Sequence, residues 1–241
     1  MLRAVLFDLD NTLINTTEAD NTAYASVQKL LERKVSDPSE VTNLFTTLLA
    51  AEPVDLNCTK NVDEWRTILW ARSLEQAMTD ESLCKEAYSV WKKTRLANMV
   101  FNVETVDLLH AVRSQYKIVL LTNGDSQVQW EKIRQCDAEK LFDAVVVSGD
   151  TEWEKPDSRI FSFACQLVGL QCENAVMIGD NLNTDIQGAI NANLLSSIWF
   201  QPSGDGYAAG TEPQAEYSVA RLAQLPGILK QIELKANKRT D

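Results

Sequence analysis

The chain has 241 residues, 45% of them hydrophobic, and a formal charge of -11 from 34 acidic and 23 basic side chains. That length and apolar content can fill one large domain with an insertion, or two domains, while the acidic excess excludes non-specific binding to nucleic acid or anionic membranes, which needs surplus Lys and Arg. No apolar run reaches the roughly 20 residues of a membrane span, a strand pattern begins at once with no leader before it, and five cysteines (Cys58, Cys84, Cys136, Cys165, Cys172) without a Cys-x-x-Cys pair point to free thiols and a cytoplasmic setting.

The first expected element is a strand. Ala4 to Phe7 is an apolar run of the kind that fills a parallel strand buried on both faces, and it ends in Asp8-Leu9-Asp10-Asn11-Thr12-Leu13. An acid at the carboxyl end of such a strand stands where open α/β sheets place their ligands, although an Asp- and Asn-rich stretch is also an ordinary turn. From Thr16 to about Met99 the apolar residues recur at helical spacing with no strand between them. One stripe is Ala19, Ala23, Val27, Leu30 and Leu31; a second is Leu44, Leu48 and Leu49, opened by Asp37 as N-cap and Pro38 at N1. Trp65, Ile68, Leu69 and Arg72 mark a third helix, and Asp80 caps a fourth that carries Leu83, Cys84, Ala87, Tyr88 and Trp91 to about Leu96. Residues 16–100 are thus expected to be an inserted, all-helical domain with Trp65, Trp70 and Trp91 in its core. Residues 1–15 and 101–241 are expected to form the domain that this insertion interrupts, with hinges near Asn15 and Phe101–Asn102.

From Asn102 helix and strand alternate, the signature of a parallel sheet with crossover helices. A helix over Val103–Val112, carrying a surface His110, leads to strand Ile118–Leu121, which ends in Thr122-Asn123-Gly124-Asp125. Ser126 then caps a helix to about Arg134. Strand Ala144–Val147 is followed by Glu154-Lys155-Pro156 and a helix that stops at Gly169. Strand Ala175–Ile178 runs into Gly179-Asp180 and on to Asp185 and a short helix; Ser196–Phe200 is the last main strand, and Glu216–Val219 is an edge strand before a closing helix through Leu229. Gly204 to Ala209 fits a relaxed dinucleotide-binding pattern but lies among prolines and precedes no helix, so it is read as a loop.

Several chemistries are excluded. His110 is the single histidine, which removes two-histidine phosphatase chemistry and His-rich metal sites; no Gly-Lys-Ser/Thr occurs, and no cysteine has an arginine six positions on. What remains is a set of polar residues after strand ends: Asp8 and Asp10, Thr122 and Asn123, Lys155, Asp180 and Asp185. In a parallel sheet those ends share one edge, so these groups can converge. Asp8, Asp10 and Asp180 are hard oxygen ligands suited to Mg²⁺. Two such carboxylates about 5 Å apart repel by roughly 3 kcal/mol at an effective dielectric near 20, which a divalent cation or a shared proton relieves. Lys155, Thr122 and Asn123 supply a charge and donors for an adjacent anion, and phosphate satisfies both halves. In this reading Asp8 attacks phosphorus to form an aspartyl phosphate, Asp10 protonates the leaving oxygen and later deprotonates water, Asp180 holds the metal, and Asp185 orients the metal's water shell.

These residues resemble the haloacid-dehalogenase superfamily. Asp8-Leu9-Asp10-Asn11-Thr12, Leu121-Thr122-Asn123-Gly124, Lys155-Pro156 and Gly179-Asp180 through Asp185 look like its four motifs in order. The resemblance implies an α/β, Rossmann-like parallel-sheet core with an inserted helical cap. It further implies Mg²⁺ held by the side chains of Asp8 and Asp180 and the backbone carbonyl of Asp10, and phosphate bound by Thr122, Asn123 and Lys155. A closer likeness to one branch, phosphatases of an acidic sugar phosphate, covers most of the chain through Val90 to Leu96, Leu120 to Asp125, Phe142 to Val147 and Thr184 to Gly188. It makes Arg95 a candidate reader of a sugar carboxylate, with cap closure or a core-to-cap salt bridge as its other readings. The alternatives are a small phosphate ester of another kind, such as a nucleoside monophosphate, a dehalogenase, for which the metal ligands would have no use, and a signalling receiver domain, which resembles this chain without the helical insertion.

Overall fold

A computed structural model describes residues 1–52, 61–75, 81–204 and 212–238. Cys58, the expected N-cap Asp80 and the stretch from residue 205 to 209 lie outside the described residues. Six strands, β1 (Ala4–Phe7), β2 (Lys117–Thr122), β3 (Ala144–Val147), β4 (Ala175–Gly179), β5 (Ser196–Phe200) and β6 (Tyr217–Val219), form one sheet. Its order is β3-β2-β1-β4-β5-β6 and every pairing is parallel. β1 is central, flanked by β2 and β4, and all four of its residues are buried. That is why its sequence is a continuous apolar run with no alternation. The chain reverses its strand order on either side of β1, which makes the β1 edge the switch point at which open α/β sheets bind ligands.

The described residues divide into two compact units, one of residues 1–15 and 101–241, the other of residues 16–100. In the second unit, α1 (Thr16–Leu31), α2 (Pro38–Ala51), α3 (Val62–Leu74) and α4 (Glu81–Ala97) surround a core of their own. α1 buries Ala19, Ala23, Val27 and Leu31 with Leu30 at the margin, and α4 buries Leu83, Cys84, Ala87, Tyr88 and Trp91, as their spacing predicts. Asp37 caps α2 by accepting from the Ser39 and Glu40 amides at 2.9 and 3.1 Å. The buried face of α2 differs from the expected one. It is Val41, Thr42 and Phe45, while Leu44, Leu48 and Leu49 are half-buried. The Phe45 ring stacks on Trp70 at 3.9 Å and meets Trp91 edge-on at 5.3 Å, and this aromatic contact sets the rotation of the helix. On α3 the core residues are Leu69, Trp70 and Leu74; Trp65 is half-buried and its indole donates to the Glu52 carbonyl at 3.0 Å.

In the first unit, α5 (Val103–Arg113), α6 (Ser126–Gln135), α7 (Ala138–Leu141), α8 (Ser158–Leu167), α9 (Gln187–Asn191) and α10 (Leu225–Asn237) connect and cover the strands. Leu6, Val119, Leu121 and Met177 from the sheet pack with Ile160, Phe161 and Ala164 of α8 in the main core cluster. The N-cap of α6 is Asp125, whose carboxylate accepts from the Val128 amide at 3.1 Å, and not the expected Ser126, whose hydroxyl donates to Asp150. Both residue types cap well, and the Ser126 hydroxyl is claimed by a tertiary partner. His110 is exposed on α5. The cysteines among the described residues form no disulfide with one another. No helix among the described residues is long and apolar enough to cross a membrane.

Candidate active site

The Asp8 amide continues the ladder one residue past β1, donating to the Ile178 carbonyl at 3.0 Å, so its side chain is fixed at the mouth of the central strand. The chain then turns. Asn11 takes a left-handed φ of 57°, one that asparagine tolerates better than most, and the Leu13 and Ile14 amides both donate to the Leu9 carbonyl at 3.0 and 3.1 Å. That turn brings Thr12 back beneath Asp8. Its hydroxyl donates to Asp8 Oδ2 at 3.1 Å and accepts from the Asp180 amide at 3.1 Å, so one buried side chain ties the ends of β1 and β4 together.

Lys155 is 3% exposed and uses its three protons on three acceptors: Asp8 Oδ1 at 2.6 Å, Asp185 Oδ1 at 2.7 Å and the Leu121 carbonyl at 3.0 Å. Burial works against its charge, but Asp185 and Asp8 outweigh it and hold the ammonium above the usual lysine range. Asp185 comes from a single π-turn, Leu182–Ile186, and its Oδ2 accepts from the Asn181 amide at 3.0 Å. It can sit there because residue 179 is glycine: a Cβ on Gly179 would lie 2.2 Å from Asp185 Oδ2. Asp180 follows Gly179 directly, with its backbone carbonyl accepting from the Trp199 indole at 2.8 Å.

Asn123 reaches the Lys155 backbone twice, donating from Nδ2 to the carbonyl at 2.8 Å and accepting at Oδ1 from the amide at 2.9 Å. Its side chain therefore clamps the loop that carries Lys155, where the sequence suggested a ligand donor. Thr122 is buried at the end of β2, and its hydroxyl accepts from Gln129 Nε2 at 2.5 Å. Asp10 is held by α6: Lys132 Nζ donates to Oδ1 at 2.7 Å and Oδ2 at 2.8 Å, and Gln129 Nε2 donates to Oδ2 at 2.9 Å. Thr12, Gln129 and Lys132 were missed in the sequence. A signal for two of them existed, since Val128 and Ile133 mark the inward face of α6 and place residues 129 and 132 on it.

The charges do not balance. Asp8, Asp10, Asp180 and Asp185 face two ammonium groups, Lys132 and Lys155. Burial first, then the Asp185 and Asp10 charges, push the Asp8 carboxyl up to about 7 against the pull of Lys155. Burial and Asp185 raise Asp180 to about 6. Carboxyl oxygens of Asp8, Asp180 and Asp185 lie within 4.8 Å of one another. An all-oxygen set with surplus negative charge fits a hard divalent cation and not zinc, so these residues fit Mg²⁺. The converging side chains include Asp185, whereas the carboxylate of Asp10 is engaged by Lys132 and Gln129. Arg95 belongs to the helical unit, where it pairs with Asp20 and lies over the Trp91 ring, 5.3 Å from its centre.

Comparison with known proteins adds three findings. Residues 2–193 match the model of the haloacid dehalogenase-like hydrolases. The chain is similar to the N-acylneuraminate-9-phosphatases of Rattus norvegicus and Homo sapiens, each 35% identical, covering 98% and 99% of this chain and 97% and 98% of theirs. The crystal structure of the hydrolase YfnB from Bacillus subtilis, 21% identical, superposes with a TM-score of 0.68 over 95% of this chain and 98% of its own, and so shares the fold.

Proposed function

The chain belongs to the haloacid dehalogenase-like hydrolases and is a phosphoric monoester hydrolase, and from that premise we propose that it works through an aspartyl phosphate on Asp8, with Mg²⁺, and that its substrate is N-acylneuraminate 9-phosphate. The observation that carries the chemistry is Asp8 itself, buried at the end of the central strand with Lys155 at 2.6 Å and two further carboxylates beside it.

The Asp8 carboxylate attacks phosphorus, forming an O–P bond as the ester P–O bond breaks and the leaving oxygen takes a proton from Asp10. Asp10 then removes a proton from water, which attacks the phosphorus and releases phosphate and free Asp8. Lys155 favours the ionised form of Asp8 against its burial and holds it in place, and Asn123 holds the backbone of Lys155. Thr122 and the charge of Lys155 would bind the transferred phosphoryl group. The side chains of Asp8 and Asp180 and the backbone carbonyl of Asp10 would hold Mg²⁺, with Asp185 behind them. The cation supplies charge neutralisation for the phosphoryl oxygens.

The substrate reading is supported by similarity to the N-acylneuraminate-9-phosphatases over nearly the whole of both chains, and it would place the protein in sialic-acid biosynthesis in the cytoplasm, acting on a small phosphomonoester. In the same reading residues 16–100 are the substrate-reading cap, and Arg95 is its candidate for the sugar carboxylate. Phosphate release from a panel of esters with Mg²⁺ tests all of this: N-acylneuraminate 9-phosphate should lead other sugar phosphates and nucleoside monophosphates in kcat/KM. A different leader would move the substrate, while substantial turnover by Asp8→Asn would remove the nucleophile.

A further inference from the structure

Two buried polar residues on α6 stand outside the groups just given a role. Gln129 is 2% exposed and Lys132 4%, on the face of the helix that also buries Val128 and Ile133. A lysine taken so far out of water gains little stability from its ion pair, because apolar replacements of buried pairs are often neutral or better. Their positions make sense through Asp10. Lys132 donates to both carboxylate oxygens at 2.7 and 2.8 Å, and Gln129 donates to Oδ2 at 2.9 Å. An Asp carboxyl ordinarily rotates in a broad, two-fold well. Here rotation breaks these hydrogen bonds.

Gln129 also looks the other way. Its Nε2 lies 2.5 Å from Thr122 Oγ1 and 2.8 Å from the Asn123 carbonyl, so one amide spans Asp10 and the end of β2. The backbone makes room for it. Gly124 has a φ of +133°, which L side chains rarely adopt, and a Cβ there would stand 3.2 Å from Gln129 Cγ.

We infer that Lys132 and Gln129 are positioning residues for Asp10, fixing the orientation of its carboxyl relative to Thr122 and Asn123 so that, once protonated, it delivers that proton to the leaving oxygen and, ionised again, accepts one from water. The inference rests on the proposed aspartyl-phosphate mechanism. It separates two kinds of ester. An alkoxide leaving group needs its proton as the P–O bond breaks, whereas p-nitrophenolate leaves without one, so a misaimed acid harms the first far more than the second.

The test measures kcat and KM with Mg²⁺ for an alkyl phosphate and for p-nitrophenyl phosphate in the full-length protein and in Lys132→Met, Lys132→Arg, Gln129→Leu, Asp10→Asn and the Asp10→Asn/Lys132→Met double variant. The ratio of alkyl to p-nitrophenyl kcat should fall on the order of 10–100-fold in Lys132→Met and in Gln129→Leu. Lys132→Arg should restore most of it. In the Asp10→Asn background Lys132→Met should change the ratio no further, since a group that acts through Asp10 has nothing left to position. Equal losses on the two esters, or additive effects in the double variant, would overturn the assignment. Lys132→Met and Gln129→Leu are read separately, so misfolding of one leaves the other to decide. A wild-type protein that hydrolyses no monoester refutes the proposed function instead, whereas an active one with unchanged ratios refutes only the role of α6.

Discussion

With Asp8 at 2.6 Å, Asp185 at 2.7 Å and the Leu121 carbonyl at 3.0 Å, the Lys155 ammonium has a partner for each proton and almost no contact with solvent. Removing it leaves two buried carboxylates facing each other. Lys155→Met is therefore expected to lower stability in EDTA by about 3–5 kcal/mol in urea unfolding, with part recovered by adding Asp8→Asn. The raised carboxyls have a consequence of their own. Asp8 at about 7 and Asp180 at about 6 both lie above the ordinary value of 3.8. Between roughly pH 4 and 7 the folded state then binds more protons than the unfolded state, so the contribution of these groups to stability falls as pH rises through that window. In EDTA the unfolding midpoint of wild-type relative to Asp180→Asn should drop from pH 5 to pH 7.5, and Mg²⁺ should restore more at the higher pH. A flat difference would contradict the raised values. Asp8, Lys155 and Asp180 were legible in the sequence because each follows a strand. The job of Asn123 was not, because an amide reads equally well as an anion donor or a backbone clamp, and the backbone it clamps is 32 residues away. The partnership of Lys132 with Asp10 spans 122 positions, beyond the reach of any local pattern.

At the scale of elements the sequence located most helices and strands to within a residue or two, and β3 and β5 to the residue. Its misses have a common physical origin. α2 carries apolar residues around much of its circumference, so periodicity allows either Leu44, Leu48 and Leu49 or Val41 and Phe45 as the inner face. The choice is made by a ring on another helix, since Phe45 stacks on Trp70 at 3.9 Å with an interplanar angle of 11°. Phe45→Ala is expected to cost about 3–5 kcal/mol, while Leu44→Ala, at a half-buried position, should cost clearly less; thermal or urea unfolding of the two variants compares them directly. Similar losses would restore the leucine face as the core. The cap of α6 shows the same limit. Asp125 and Ser126 are equally good caps by type, and the bond from Ser126 to Asp150 decides between them. The short α7 was not expected at all, since four residues are too few to display a period.

On the scale of the whole molecule, the two units differ in how their contacts are spread along the chain. Residues 16–100 build their core from helices that follow one another, whereas the sheet joins β1 to strands whose first paired residues are Lys117 and Ala175. Local contacts form faster than distant ones. Pulse-labelled hydrogen exchange during refolding is therefore expected to protect α1 and α4 amides before those of β1; simultaneous protection would show the two units to fold as one. The central place of β1 also bears on how the protein is made. Translation proceeds at about 5–20 residues per second, so Ala4–Phe7 waits on the order of ten seconds before its second neighbour has even been synthesised. Through that interval an uninterrupted apolar strand stands with at least one hydrogen-bonding edge open, since only β2 can pair with it before β4 exists, and it is the segment on which a chaperone riding the nascent chain would act.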